Sequence, residues 1–121
     1  MSIGRITMIE FTSDEALEAA IKLYLATHKE YFPNAQVVIN VKTGPLSVMS
    51  LAIYESYEEA EKNLVGRQKW QDAVNITVKD TFYYEGDLQY FFQDPNAKIV
   101  SEYTVKDRLF FEAERRAEKS G

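Results

Sequence analysis

The sequence predicts an α+β domain in which four strands alternate with two helical regions. The chain has 121 residues, which is enough for one domain with a buried core. Four segments show the β-branched or alternating pattern of strands, and two longer segments repeat apolar residues every three or four positions, as helices do. A hydroxyl side chain followed three residues later by an acidic one marks where each helical region begins.

The first strand leads directly into the first helix. The segment RITMIEFT, residues 5–12, is rich in β-branched residues and stops at a capping box formed by Thr12 and Glu15. Pro33 disfavours the helical conformation at the residue before it, so the helix is expected to span Ser13 to Tyr31. The residues predicted to share its inward face are Leu17, Ala20, Ile21, Tyr24, Leu25 and His28.

A hairpin and an interrupted helical region follow. Two alternating segments on either side of the turn sequence TGPL predict a hairpin over residues 36–54. Ser56 and Glu59 form a second capping box. Gly66 interrupts the helical period, so we expect the helix to end or kink near Gly66 and a short further helix to run to about Asn75.

A strand at residues 77–84 completes the order β-α-β-β-α-β, which is the ferredoxin-like, split βαβ arrangement. The tripeptide EGD at 85–87 predicts a turn, after which residues 88–92 form either a further strand or a short helix. The fold is therefore predicted to be an antiparallel sheet covered by helices.

A C-terminal extension is predicted beyond this core. Asp94, Pro95 and Asn96 predict a loop, residues 98–104 alternate like a strand, and Thr104 with Asp107 marks the start of a charged helix. The expected organisation is a single domain over 1–121, with a core at about 3–85 and an extension at 86–121.

Both faces of the predicted sheet carry apolar side chains. Helices cover one face of such a sheet and water meets the other, which predicts polar residues at every second strand position. In the first strand, however, Ile6 and Met8 lie opposite to Ile9 and Phe11. Leaving several such side chains in water would forfeit several kcal/mol, out of roughly 5 to 15 kcal/mol for a small domain. Either the extension or a second copy of the chain covers this face, and we favour the dimer.

Over roughly residues 3–85 the chain resembles the dimeric α+β barrel superfamily, which includes antibiotic-biosynthesis-type monooxygenases and stress-responsive barrel proteins. The resemblance is one of pattern, and it implies a homodimer with a cleft between helices and sheet that accepts apolar or aromatic small molecules. Cofactor-free oxygenases of this kind use an asparagine and a tryptophan, which would correspond to Asn40 and Trp70. The segments that carry the resemblance are RITMIEF, SDEALEAAIKLYLATHKEYF, VVINVKTGPLSVMSLAIYES, YEEAEKNL and ITVKDTFYY. Where many relatives carry a histidine late in the second helical region, this sequence has Gln68, Lys69, Gln71 and Asp72.

Aromatic, basic and amide side chains are the candidates for ligand binding. His28, the only histidine, ends the inward face of the first helix, where the helix dipole favours its protonated form. It is a general base, a donor that anchors a ligand, or a boundary residue packed against the sheet. Trp70 and Arg67 could line the mouth of a cleft, the indole stacking on a ligand and the guanidinium binding a carboxylate, although packing also explains Trp70. The full candidate set is Tyr24, His28, Tyr31, Asn40, Arg67 and Trp70.

Several functional classes are disfavoured by composition. The net charge of −5 argues against nucleic-acid binding, and no segment reaches the ~18 apolar residues of a membrane span. One histidine, no cysteine and no glycine-rich phosphate loop give no metal or cofactor signature. We therefore expect no cofactor, and the cytoplasm is the default location.

Three functions are consistent with these observations. The first, which we favour, is a homodimer that holds an elongated apolar, fatty-acid-like or aromatic molecule between helices and sheet. The second is a cofactor-independent monooxygenase with Trp70, Asn40, Arg67 and His28 near the substrate. The third is a non-catalytic structural or regulatory interaction module. Its predicted docking face on the C-terminal helix comprises Leu109, Phe110 and Ala113.

Overall fold

The computed structural model of the chain describes residues 1–97. The chain divides after Gln89 into two units, close to the predicted start of the extension, and the first unit, Met1–Gln89, holds all the helices and strands of the described residues. The predicted strand at 98–104, the helix beginning near Thr104 and its docking face lie outside the described residues.

The first unit is a four-stranded antiparallel sheet with helices on one face. Its strands lie in the order β2-β3-β1-β4. The order along the chain confirms the predicted ferredoxin-like β-α-β-β-α-β fold. The elements are β1 (Ile3–Phe11), α1 (Asp14–Tyr31), β2 (Val37–Lys42), β3 (Ser47–Tyr54), α2 (Tyr57–Glu61), α3 (Leu64–Val74), a 3₁₀ turn (Asn75–Thr77) and β4 (Val78–Asp87).

Helix α1 begins one residue later than the predicted capping box. The hydroxyl of Ser13, not that of Thr12, accepts a hydrogen bond from the backbone N–H of Ala16 at 3.1 Å. Leu25 is 47% exposed, so its predicted place on the inward face is wrong. At 100° per residue it lies about 80° around the helix from the buried Leu17, at the edge of the apolar stripe.

The second helical region breaks before Gly66, not at it. Ser56 caps α2 as predicted, accepting from the N–H of Glu59 at 3.2 Å, but the helix stops after Glu61 and α3 starts again at Leu64. Gly66 is a buried residue inside α3, where a Cβ atom would overlap the backbone carbonyl of Tyr31. Glycine is needed here because two helix backbones meet, not because the helix ends.

Strand β4 continues through the predicted EGD turn. Glu85, Gly86 and Asp87 pair with the first residues of β1, because that end of the central strand offers them backbone partners. The segment 88–92 forms neither the strand nor the helix considered for it. The predicted loop that follows is confirmed, with the N–H of Asn96 donating to the Asp94 carboxylate at 2.9 Å.

The two faces of the sheet differ in what covers them. The side of β1 that carries Ile9 and Phe11 packs against the helices and forms the main core with Leu17 and Trp70. The other face confirms the predicted apolar surface, which no helix or strand of residues 1–97 covers. We call it the outer face; its exposed members, between 36% and 59% accessible, are Ile6, Met8, Ile39, Val41, Phe82 and Tyr84. No helix among residues 1–97 is long and apolar enough to cross a membrane.

Replacing Gly66 by alanine is expected to lower the free energy of unfolding by about 1 to 3 kcal/mol, because the added methyl group meets the rigid backbone of Tyr31. Elsewhere in a helix interior the same change stabilises by roughly 0.5 to 1 kcal/mol. Urea unfolding followed by circular dichroism measures the free energy of unfolding of wild type and of the variant. Gly86→Ala is the matched control, since its Cβ would have no atom within 4 Å. Equal stability of the two variants would contradict the close helix contact.

Candidate functional site

A cavity of about 80 Å³ lies between helices α1 and α3 and the sheet face they cover. A single water needs roughly 10 to 15 Å³, so the space is large enough for part of an organic molecule. It lies wholly within the first unit of the chain. Its walls are built from helix side chains and its floor from alternate residues of the four strands.

The helical wall of the cavity is aromatic. Tyr24, from the inward stripe of α1, meets Trp70 of α3 edge to face at 5.9 Å and Phe32 at 5.7 Å between ring centres. Trp70 follows the buried Gly66 by one helical turn, so both face α1. The indole is 9% exposed, and within residues 1–97 its Nε1–H has no hydrogen-bond acceptor. The nitrogen is itself buried, so the indole presents its carbon atoms to the cavity.

The floor of the cavity contains one polar residue from each strand. Thr7 of β1 pairs with Ser50 of β3 on one side and Tyr83 of β4 on the other, and Ser50 pairs with Asn40 of β2. Paired residues of antiparallel strands project to the same face, so these four form a continuous row across the sheet, which we call the polar row. All four line the cavity.

Two arginines also line the cavity, and a third charge lies beside them. Arg5 Nε donates to Glu85 Oε2 at 3.0 Å, and its Nη1 donates to the backbone carbonyl of Ala60 at 2.9 Å. The hydroxyl of Tyr83 donates to the same Glu85 oxygen at 2.8 Å. The guanidinium carbon of Arg67 lies 3.9 Å from the centre of the Tyr83 ring. The chain thus holds two cations and one anion at this end of the cavity.

These contacts shift the protonation equilibria of the site. The hydrogen bond from Tyr83 and the guanidinium of Arg5 lower the pKa of Glu85, so it stays ionised. Burial and the hydrogen bond to Glu85 raise the pKa of Tyr83. Burial raises the pKa of Tyr24 to about 12, an effect that the neighbouring Ser50 hydroxyl opposes. Both tyrosines are therefore neutral hydroxyl groups at physiological pH.

The structure brings together four of the six candidate residues. Tyr24, Asn40, Arg67 and Trp70 line the cavity. His28 and Tyr31 are not part of its lining.

His28 and Tyr31 instead support the wall from outside. The ring of His28 stacks on that of Tyr24, with 5.6 Å between centres and 14° between planes. Tyr31 contributes its backbone to the contact with Gly66. Sequence reasoning missed Arg5, Thr7, Ser50 and Tyr83, although each occupies the inward position of its strand's alternation. Within residues 1–97 no three metal-ligating side chains come together.

Comparison with known proteins gives structural likeness only. No family model and no curated protein matches the sequence. Among solved structures, a dimeric ferredoxin-like protein from an uncultured marine organism superposes with a TM-score of 0.63 at 15% identity, covering 77% of this chain and 92% of the other. The chain has a ferredoxin-like fold. The predicted resemblance to the dimeric α+β barrel superfamily is confirmed at the level of fold.

Two structures of monooxygenase type resemble this chain about as closely as the marine protein does. A candidate antibiotic biosynthesis monooxygenase from Nitrosomonas europaea has a TM-score of 0.65 at 12% identity, covering 74% of this chain and 91% of that one. A monooxygenase from Streptomyces coelicolor, solved in complex with the ligand nanaomycin D, has a TM-score of 0.63 at 9% identity, with 77% and 92% covered. At such identities the similarity concerns the fold and carries no residue roles.

The raised pKa of Tyr24 predicts a specific loss of stability in alkali. The unfolded tyrosine has a pKa of 10.0 and the folded one about 12, so the neutral hydroxyl contributes stability below pH 10 that is lost as the pH rises towards 12. Between about pH 8 and pH 11.5, wild type is expected to lose about 2 kcal/mol of unfolding free energy relative to Tyr24→Phe, which cannot ionise there. Urea titrations of both proteins measure this. If the difference in unfolding free energy between wild type and Tyr24→Phe stays constant with pH, the pKa of Tyr24 is not raised by folding.

Proposed function

We propose that the protein is a homodimeric binding protein for an apolar or aromatic small molecule, which occupies the cavity between the helices and the sheet. The observation that carries this proposal is the cavity of about 80 Å³, which Tyr24, Phe32 and Trp70 line with aromatic rings above a polar floor. Burial of apolar surface against such rings stabilises a complex by roughly 25 cal/mol per Å², so a molecule with an apolar body would bind favourably.

The shape and chemistry of the cavity fit a molecule with an apolar body and a few polar atoms. Tyr24, Phe32 and Trp70 offer ring surfaces for the body, while the polar row offers hydroxyl and amide groups along the floor. Ligand sites in proteins commonly combine such apolar walls with a small number of polar groups that fix orientation. The nanaomycin D complex of the structurally similar S. coelicolor protein supports the proposal by analogy of fold.

Organic extraction of the purified protein, followed by mass spectrometry, tests the binding function. Wild type is expected to release close to one equivalent of an apolar or aromatic compound per chain. Ala52→Leu, which enlarges a cavity-lining side chain, is expected to release several-fold less because it fills the space. Ala73→Leu, the same change at an exposed position of α3, is expected to behave as wild type. Absence of any such compound from wild type would contradict the proposal.

A cofactor-independent oxygenase is the alternative for the same cavity. It draws support from Asn40, Arg67 and Trp70, which share the lining, whereas His28, the fourth residue of that hypothesis, lies outside it. The two functions differ in one readout. An oxygenase converts its bound compound with uptake of O₂ in the absence of added metal or flavin, whereas a binding protein returns the compound unchanged.

The homodimer is proposed from the outer face of the sheet. Its exposed apolar side chains come from β1, β2 and β4. Met49 and Leu51 of β3 pair with them in register, so the apolar surface is continuous on the side away from the helices. Contiguous apolar surfaces of this kind mark interaction sites, and a second copy presents the same self-complementary face. The dimeric ferredoxin-like protein of similar fold supports this choice of partner. The docking face predicted for a structural or regulatory interaction module lies outside the described residues.

Light scattering tests the dimer directly. Wild type is expected to show the mass of two 14.0 kDa chains. Ile6→Glu places a charge in the middle of the outer face and is expected to shift the mass to that of one chain, since the partner would bury an unpaired carboxylate. Ile76→Glu is the matched control, because Ile76 is 92% exposed and lies outside the sheet. A wild-type mass of one chain would refute the dimer.

A further inference from the structure

We propose that the ligand of this cavity carries one carboxylate group, which Arg67 binds through its guanidinium. The inference rests on the proposed binding function and adds the charge of the ligand and the residue that selects it. Its basis is the balance of charges around the cavity and the geometry of Arg67.

The cavity lining is cationic. The charged side chains that line it are Arg5 and Arg67, and no carboxylate is among the lining residues that the structure describes. Glu85 forms a 3.0 Å ion pair with Arg5, accepts the Tyr83 hydroxyl and also feels the charge of Arg67. One carboxylate thus faces two guanidinium groups, which leaves one excess positive charge, and Arg67 is the arginine without an ion pair among residues 1–97. A cation beside an apolar cavity is stabilised when an anion enters with the ligand.

The geometry of Arg67 leaves its hydrogen-bond donors available. Its guanidinium carbon is 3.9 Å from the Tyr83 ring centre, which is the distance of a cation–π contact. This contact holds the guanidinium beside the cavity and uses none of its N–H groups in a hydrogen bond to a side-chain acceptor. Within residues 1–97 Arg67 has no salt bridge and no side-chain hydrogen bond. Two parallel N–H groups of a held guanidinium match the two oxygens of a carboxylate.

The surroundings of Arg67 favour a monoanion with a flat or apolar body. One spare positive charge balances one carboxylate, whereas a phosphate dianion would leave an excess negative charge near Glu85. Trp70 follows Arg67 by three positions on α3, so both side chains lie on neighbouring parts of one helix surface. A ligand body beside Trp70 could thus place its carboxylate at Arg67.

Calorimetric titration with 2-naphthoate and its neutral isostere 2-naphthamide tests this inference. Wild type is expected to bind naphthoate about 10- to 100-fold more tightly than naphthamide, the ratio typical of a charge-assisted hydrogen-bonded pair. Arg67→Gln is expected to abolish that preference, so that both probes bind with equal affinity. Lys69→Gln removes the same charge from an exposed position of α3 and is expected to keep the preference.

The outcomes separate the two proposals. Equal affinities of wild type for both probes would overturn the carboxylate inference and leave the binding function standing. A preference that survives in Arg67→Gln would overturn the role of Arg67. Failure of wild type to bind either probe would count against the binding function itself and remove the inference with it.

If Arg67→Gln loses naphthamide binding as well, the Arg67→Lys variant tests the role of the guanidinium. Its naphthoate preference should fall several-fold, because an ammonium lacks the planar pair of donors, and an unchanged preference would overturn the inference.

Discussion

The contact between Gly66 and the backbone of Tyr31 is the constraint on which the site depends. It brings α3 against the C-terminal end of α1 more closely than any side chain would allow. Once that spacing is set, the residues that follow Gly66 are directed by helical geometry. Trp70 lies one turn further along the same face, and Arg67 lies beside it. The aromatic wall and the cationic end of the cavity are therefore consequences of one glycine.

The central strand β1 explains how one small sheet serves two purposes. One of its faces carries the apolar Ile6 and Met8 and is open among the described residues, and the other places two polar residues between apolar ends. Ile3, Ile9 and Phe11 are buried in the core, while Arg5 and Thr7 add polar groups to the cavity lining. Polar groups under a layer of helices are unfavourable unless they find hydrogen-bond partners. Arg5 finds them in Glu85 and in the carbonyl of Ala60, which also ties the sheet to α2. The polar row, in contrast, faces the cavity.

The structural similarities and the site bear on different questions. Proteins at 9% to 15% identity share this fold, and some of them are described as monooxygenases. A shared fold of this kind supports many chemistries, because function depends on the residues placed in the cavity. In this chain those residues include two arginines, a neutral Tyr24 and the indole ring of Trp70. They argue for recognition of a molecule with apolar and anionic parts, while the oxygenase alternative rests on Asn40 and Trp70.

The sequence by itself determined the order of elements, the start of α2 at Ser56, the end of α1 before Pro33 and the apolar character of both sheet faces. These features follow from local hydrogen bonding and from side-chain periodicity, which neighbouring residues carry. The tertiary structure alone decided the role of Gly66 and the extension of β4 through EGD. It also decided which side chains line the cavity together: the predicted Tyr24, Asn40, Arg67 and Trp70, and the unpredicted Arg5, Thr7, Ser50 and Tyr83. Each of these depends on strand register or on helix spacing between residues far apart in the chain. Such distances are set by packing, which no local pattern in the sequence records.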